Sequence, residues 1–183
     1  MRKLFVVAVA LMLATIASRG QAAVNYQLEI DKYRDLSATP PCQSVTVFTD
    51  GDALTEVFEF SGATRRSGGM GVVRELLVIA AQSTTVGFDL VLSSRTFTGS
   101  PLNEAFTPVK GEMNNSLETT ITVTASDWVS LGGVSYARIT GIDYVYDLPD
   151  GQDDLHAQAV MNVGDESVTA NNLVFKLKVA WLD

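Results

Sequence analysis

From Val24 onward the chain alternates apolar and polar residues in short runs, and turn-forming residues break every run. A side-chain period of two places successive residues on opposite faces of a strand, so each run can bury one face and leave the other wet. "LVFKLKVAWLD" (173–183) is the clearest case. Phe175, Leu177, Val179 and Trp181 share one face, against Lys176 and Lys178 on the other. "VNYQLEI" (24–30), "SVTVF" (44–48), "TEVFEFSG" (55–62) and "TVGFDLVLSS" (85–94) repeat the pattern, as do "LETTITVTASDW" (117–128) and "DLHAQAVMNV" (154–163). "GVVRELLVIAA" (71–81) is longer and more apolar than these. Its β-branched Val72, Val73, Val78 and Ile79 argue for a central strand over a helix. "LGGVSYARITGIDYVYDL" (131–148) reads as one or two strands broken at Gly141.

The pattern predicts nine to eleven strands and no long amphipathic helix. That is an all-β fold, an antiparallel β-sandwich of jelly-roll type. The irregular stretch 95–116 reads as a long loop with one helical turn near Asn103 to Phe106. Such loops on β scaffolds often carry binding surfaces. The stretch 164–172 reads as a hairpin-like connection.

The N-terminus is different. Met1-Arg2-Lys3 is basic, Leu4 to Ala17 is uncharged and apolar, and "SRGQAA" ends in small residues. This is the layout of a signal peptide, over 1–23, followed by one β-sandwich domain over 24–183. The expected location is secreted or periplasmic, with no membrane attachment after cleavage. Removing this segment leaves ten basic and twenty-one acidic residues. Such an excess of negative charge repels nucleic acid and anionic lipid surfaces. The lone cysteine, Cys42, makes no internal disulfide and reads as a buried thiol.

Several stretches look chemical. "YDLPDGQDDLHAQAV" (146–160) groups Asp147, Asp150, Asp153 and Asp154 around a Pro-Asp-Gly turn, followed by the only histidine, His156. Carboxylates at relative positions 1, 4, 7 and 8 supply the oxygens that calcium prefers, but not the spacing of an EF-hand. The competing reading is a solvated hairpin turn. One histidine and one cysteine exclude a histidine-rich metal centre, and no Gly-x-Ser-x-Gly elbow is present. No cofactor other than calcium is indicated.

"SGATRRSGGMGVV" (61–73) sets Arg65 and Arg66 beside three glycines. It leads into a strand-like segment with no Gly-Lys-Ser/Thr, so a phosphate loop is excluded. The arginines suit a carboxylate or a partner protein. Tyr144 and Tyr146 share a face and read either as a stacking platform for a glycan or as sheet packing. Asn114-Asn115-Ser116 is a glycosylation sequon.

The Gly-rich entry at Gly68 to Gly71, "FDLVL" at Phe88 to Leu92, Asp127-Trp128, Gly132-Gly133, "DLHAQAV" and the Thr-Ala-Asn-Asn turn before the last strand form a further pattern. Over Pro41 to Leu182 the chain resembles small, largely uncharacterised virion structural proteins of tailed bacteriophages. The resemblance implies an all-β particle component that works by subunit contacts and transfers no catalytic residues. An export signal is a departure from that family's pattern. The reading overall is a non-enzymatic binding or structural protein that self-associates or binds another protein. The alternative is an extracellular carbohydrate- or calcium-binding module.

Overall fold

The computed structural model describes residues 33–41, 46–109, 117–164, 166–168 and 173–182. All but Tyr33 belong to the second of the chain's two units, Arg34–Asp183. The expected signal peptide, the run 24–30, Cys42 and the sequon lie outside the described residues.

Eleven strands are present among the described residues. They are β1 (Tyr33–Ala38), β2 (Thr46–Phe48), β3 (Phe58–Phe60), β4 (Met70–Ala80), β5 (Phe88–Ser93), β6 (Leu117–Val123), β7 (Trp128–Ser130), β8 (Ser135–Asp147), β9 (Leu155–Met161), β10 (Glu166–Val168) and β11 (Leu173–Trp181). They form a five-stranded sheet in the order β1-β11-β4-β8-β7, a four-stranded sheet β3-β9-β5-β6 and a small β2-β10 pair.

The pairing is nested. β1 pairs with β11, β2 with β10, β3 with β9, β4 with β8 and β5 with β6. The described strands form one long antiparallel ribbon whose innermost pair is β5 with β6. Folding that ribbon over brings β4 against β11 and β5 against β9. This is the strand order of a jelly roll, with two sheets face to face. The fold is the expected antiparallel β-sandwich.

The core lies between the sheets. β4 contributes Val73, Leu76 and Val78; β11 contributes Phe175, Leu177 and Val179. Phe58, Phe60, Phe88, Leu90 and Leu92 face them from the other sheet. Phe175 joins the layers, with ring centroids 5.1 Å from Phe58 and 5.8 Å from Phe88. Each such side chain contributes roughly 1.5–3 kcal/mol by leaving water.

One irregularity shapes the five-stranded sheet. Val73 and Leu76 both reach the core, so Arg74 and Glu75 together make a bulge, and the register slips there against both neighbours. Opposite it, β8 is one strand that bends at Gly141 (φ 72°) and Asp143 (φ 50°). Arg74 and Asp143 close the bulge as an ion pair.

The four-stranded sheet has no wet face at β9, where all seven residues are buried. Segment 51–55 runs beside the end of β9 through Leu54 N–H to Ala159 O (2.8 Å) and Met161 N–H to Asp52 O (2.8 Å). Residues 103–106 attach to that segment through Ala53 N–H to Glu104 O and Phe106 N–H to Gly51 O, both 2.8 Å. The helical turn expected at Asn103 to Phe106 is therefore not formed. The chain makes a turn from Pro101 to Glu104 with Asn103 left-handed (φ 59°), because its backbone groups pair with 51–53 rather than within a helix. Within the stretch 164–172, which reads as a hairpin-like connection, Glu166–Val168 form β10.

Candidate functional site

The glycine-rich loop after β3 and the acidic turn between β8 and β9 stack on each other. Gly68 N–H donates to Gln152 O (2.8 Å), Ala63 N–H to Asp153 O (2.6 Å) and Leu148 N–H to Gly69 O (3.0 Å). Gly62 N–H donates to the Asp154 carboxylate (2.9 Å). Gly68 sits at φ 74°, and a Cβ there would come 2.5 Å from an Asp150 carboxylate oxygen. The glycines serve this close approach. The structure thus joins two stretches that lie far apart in sequence.

Arg65 and Arg66 are both exposed. The Arg65 guanidinium lies 4.9 Å from the Trp181 ring, which Arg34 also approaches at 5.7 Å. The Trp181 indole N–H donates to Ala63 O (3.0 Å), and the Tyr146 hydroxyl donates to the same oxygen (2.5 Å). Tyr146 is 1% exposed, so of its two sequence readings sheet packing holds. Tyr144 is half-buried, 6.3 Å from the Tyr146 ring and packed against the core.

Asp147, Asp150 and Asp153 are exposed and Asp154 is half-buried. Among the described residues no group of three acidic, histidine or cysteine side chains is placed to hold a metal. Asp153 and Asp154 do line a cavity of about 200 Å³ with Thr96, Gly151, Gln152 and His156. His156 is buried, with Nε2 3.2 Å from the Thr96 hydroxyl and Nδ1 3.5 Å from the Glu59 carboxylate. Among the described residues the Gln152 side-chain oxygen is buried with no hydrogen-bond partner.

A second site lies on the outer face of the five-stranded sheet. Leu77 and Ile79 of β4, Tyr136 of β8, and Leu131 and Val134 of the β7–β8 turn line a groove of about 640 Å³. Leu131 and Val134 are 62% and 43% exposed, unusual for adjacent apolar side chains. Gly132 (φ 62°) and Gly133 (φ 117°) let the turn reverse tightly. At the polar end, Arg138 donates from Nε and Nη2 to the two Glu75 oxygens, both at 2.8 Å. This bidentate bond, with help from Lys178, holds the Glu75 carboxyl below its usual range; Glu75 in turn raises Arg138. The sequence signal for this groove was the apolar run Leu76–Ala80 of β4, whose outer residues Leu77 and Ile79 stay half-buried.

No protein-family model matches this chain, and no curated protein does. Similar solved structures include murine APRIL, at 11% identity over 80% of this chain and 99% of that one, TM-score 0.30. A carbohydrate-binding module, CBM28, specific for non-crystalline cellulose matches at 13% identity over 68% and 65%, TM-score 0.31. A chain of the Israeli acute paralysis virus particle matches at 6% identity over 85% and 74%, TM-score 0.34. At these scores the matches assign neither family nor function, and the jelly-roll assignment rests on strand order. None of the three is a tailed-phage protein.

Proposed function

We propose that this chain is an exported, non-enzymatic β-sandwich that acts through surface contacts, self-association first among them. The observation that carries this reading is the exposed apolar groove on the outer face of the five-stranded sheet. A half-wet sheet normally shows polar residues there; Leu77, Ile79, Leu131, Val134 and Tyr136 instead offer a surface that gains by being covered. The segment 1–23 supports export. A virion-like role is the form of this reading that the tailed-phage resemblance favours.

Light scattering on the purified protein tests it. Concentration-dependent association is expected, weakened by Leu77→Ser with Ile79→Ser. A strict monomer at high concentration would sink the self-association reading. Recovery of the chain in the cytoplasm with residues 1–23 intact would count against export.

A calcium-binding role is the second reading, favoured by the Gln152 oxygen beside Asp153 and Asp154. A hard cation would supply the partner that this carbonyl lacks. Calcium should then raise the Tm, and Asp153→Ala with Asp154→Ala should abolish the rise. No rise at millimolar calcium would eliminate this role.

A further inference from the structure

β9 and its neighbours set three polar groups in a row. Strand register places Glu59 of β3 beside His156 on one side and Ser93 of β5 on the other. Past Ser93 the chain turns sharply, with the Ser93 hydroxyl donating to Arg95 O (2.6 Å), and Thr96 comes back over His156. The Thr96 hydroxyl lies 3.2 Å from His156 Nε2, and Nδ1 of the same ring lies 3.5 Å from the Glu59 carboxylate. Hydroxyl, imidazole and carboxylate in that sequence form the arrangement that activates an alcohol as a nucleophile. Thr96 is exposed to the cavity of about 200 Å³, and Gln152 lines the same cavity. The backbone of Gln152 is pinned, its N–H donating to Pro149 O (3.0 Å) and its carbonyl accepting from Gly68 N–H (2.8 Å). Its side-chain oxygen is buried with no partner among the described residues, although Gly151 and Asp153 on either side are exposed.

We propose that Thr96 and Gln152 are joined by an ester cross-link that the chain makes itself. The inference goes beyond the surface-contact reading and stands independently of it. Thr96 Oγ1 attacks the side-chain amide carbon of Gln152. His156 Nε2 takes the hydroxyl proton and passes it to the departing nitrogen, while Glu59 holds the ring in orientation. A C–O bond forms, the amide C–N bond breaks and one ammonia leaves; nothing is oxidised or reduced. Ammonia escapes to bulk water as ammonium, which draws the exchange forward. The unpartnered oxygen favours the same outcome. A buried amide carbonyl without a donor is costly, and an ester carbonyl, a weaker acceptor, loses less by going without one. The link would tie the 95–100 loop to the β8–β9 turn and close a loop through β6, β7 and β8. It constrains the unfolded chain as a disulfide does, in a protein whose single cysteine allows no internal disulfide.

Mass spectrometry of the purified protein tests this. The intact mass should fall about 17 Da below that of the amino-acid sequence, the loss of one ammonia. Peptide mapping should find the Thr96 and Gln152 peptides joined, and hydroxylamine should separate them. Thr96→Val should restore the full mass and lower the Tm by at least about 5 °C. Thr96→Ser should keep the link, and His156→Ala should lose it. His156 is buried and Thr96 is exposed, so Thr96→Val decides the matter if the histidine variant fails to fold. Calcium bound at Gln152 without a cross-link would leave the mass at its full value. A wild-type chain of full mass, ammonia lost at another site, or a link that survives Thr96→Val would overturn the proposal.

Discussion

Ala63 holds the junction of loop, sheet and turn together through its backbone. Its carbonyl accepts from Tyr146 at 2.5 Å and Trp181 at 3.0 Å, and its N–H donates to Asp153. Tyr146→Phe removes one of these bonds but leaves the carbonyl served by Trp181. A loss of about 1 kcal/mol in urea unfolding is expected. Gly71→Ala should cost considerably more, because its Cβ would land on the Tyr146 hydroxyl. If Gly71→Ala were the milder of the two, the packing described here would be wrong. A different residue-scale device appears where Asp127 accepts from the Thr124 N–H and hydroxyl, both at 2.7 Å. The hydroxyl bond, then the backbone bond, lowers the Asp127 pKa from 3.8. A carboxyl depressed on folding stabilises above its unfolded pKa and loses that contribution as pH falls through the folded value. Asp127→Asn should therefore flatten the fall in Tm below about pH 4. An unchanged slope would remove this residue from the acid response. Period-two spacing could put Tyr144 and Tyr146 on one face, but it could not say which face met the other sheet. That depended on the pairing of β8 with β4, which sets Tyr144 opposite core-facing Val73 and Tyr146 opposite Gly71.

β9 shows what an element can hide. "DLHAQAV" contains His156 and Gln158 at alternate positions, which reads as a strand with one wet face. Both residues are buried, because the 96–100 loop crosses them. The amide nitrogen of Gln158 donates to Thr55 O (2.8 Å) and Ser100 O (2.7 Å), and its oxygen accepts from Ser100 N–H (3.2 Å). Gln158→Leu would keep the volume and strand those three backbone groups. A loss of roughly 3 kcal/mol is expected, measured by urea unfolding. A loss below about 1 kcal/mol would mean that water reaches them. Strand positions were legible because alternation is a local property. The cover over β9 was not, since it comes from residues some 60 to 100 positions away. His156 was singled out for its chemistry, yet its observed contacts tie β9 to Thr96 and Glu59.

At the scale of the whole molecule, the nested ribbon and the uneven charge act on different quantities. Sandwich topology was readable from turn spacing, but not which strands pair, because nesting is decided by contacts between the two ends of the ribbon. The charge imbalance was readable in full, whereas the pairing of Arg138 with Glu75 and of Arg74 with Asp143 required the sheet to bring them together. These two charge properties predict opposite responses to salt. Twenty-one acidic residues against ten basic ones after Ala23 repel each other throughout the folded state. Screening relieves that repulsion, so the Tm should rise as salt increases from about 0.02 to about 0.3 M. The same salt screens the exposed pairs Glu75–Arg138 and Arg74–Asp143, which lowers the Tm. The Tm is read at a concentration where the protein is monomeric. A Tm that falls with salt under those conditions would mean that local pairs such as Glu75–Arg138 and Arg74–Asp143 outweigh the global repulsion.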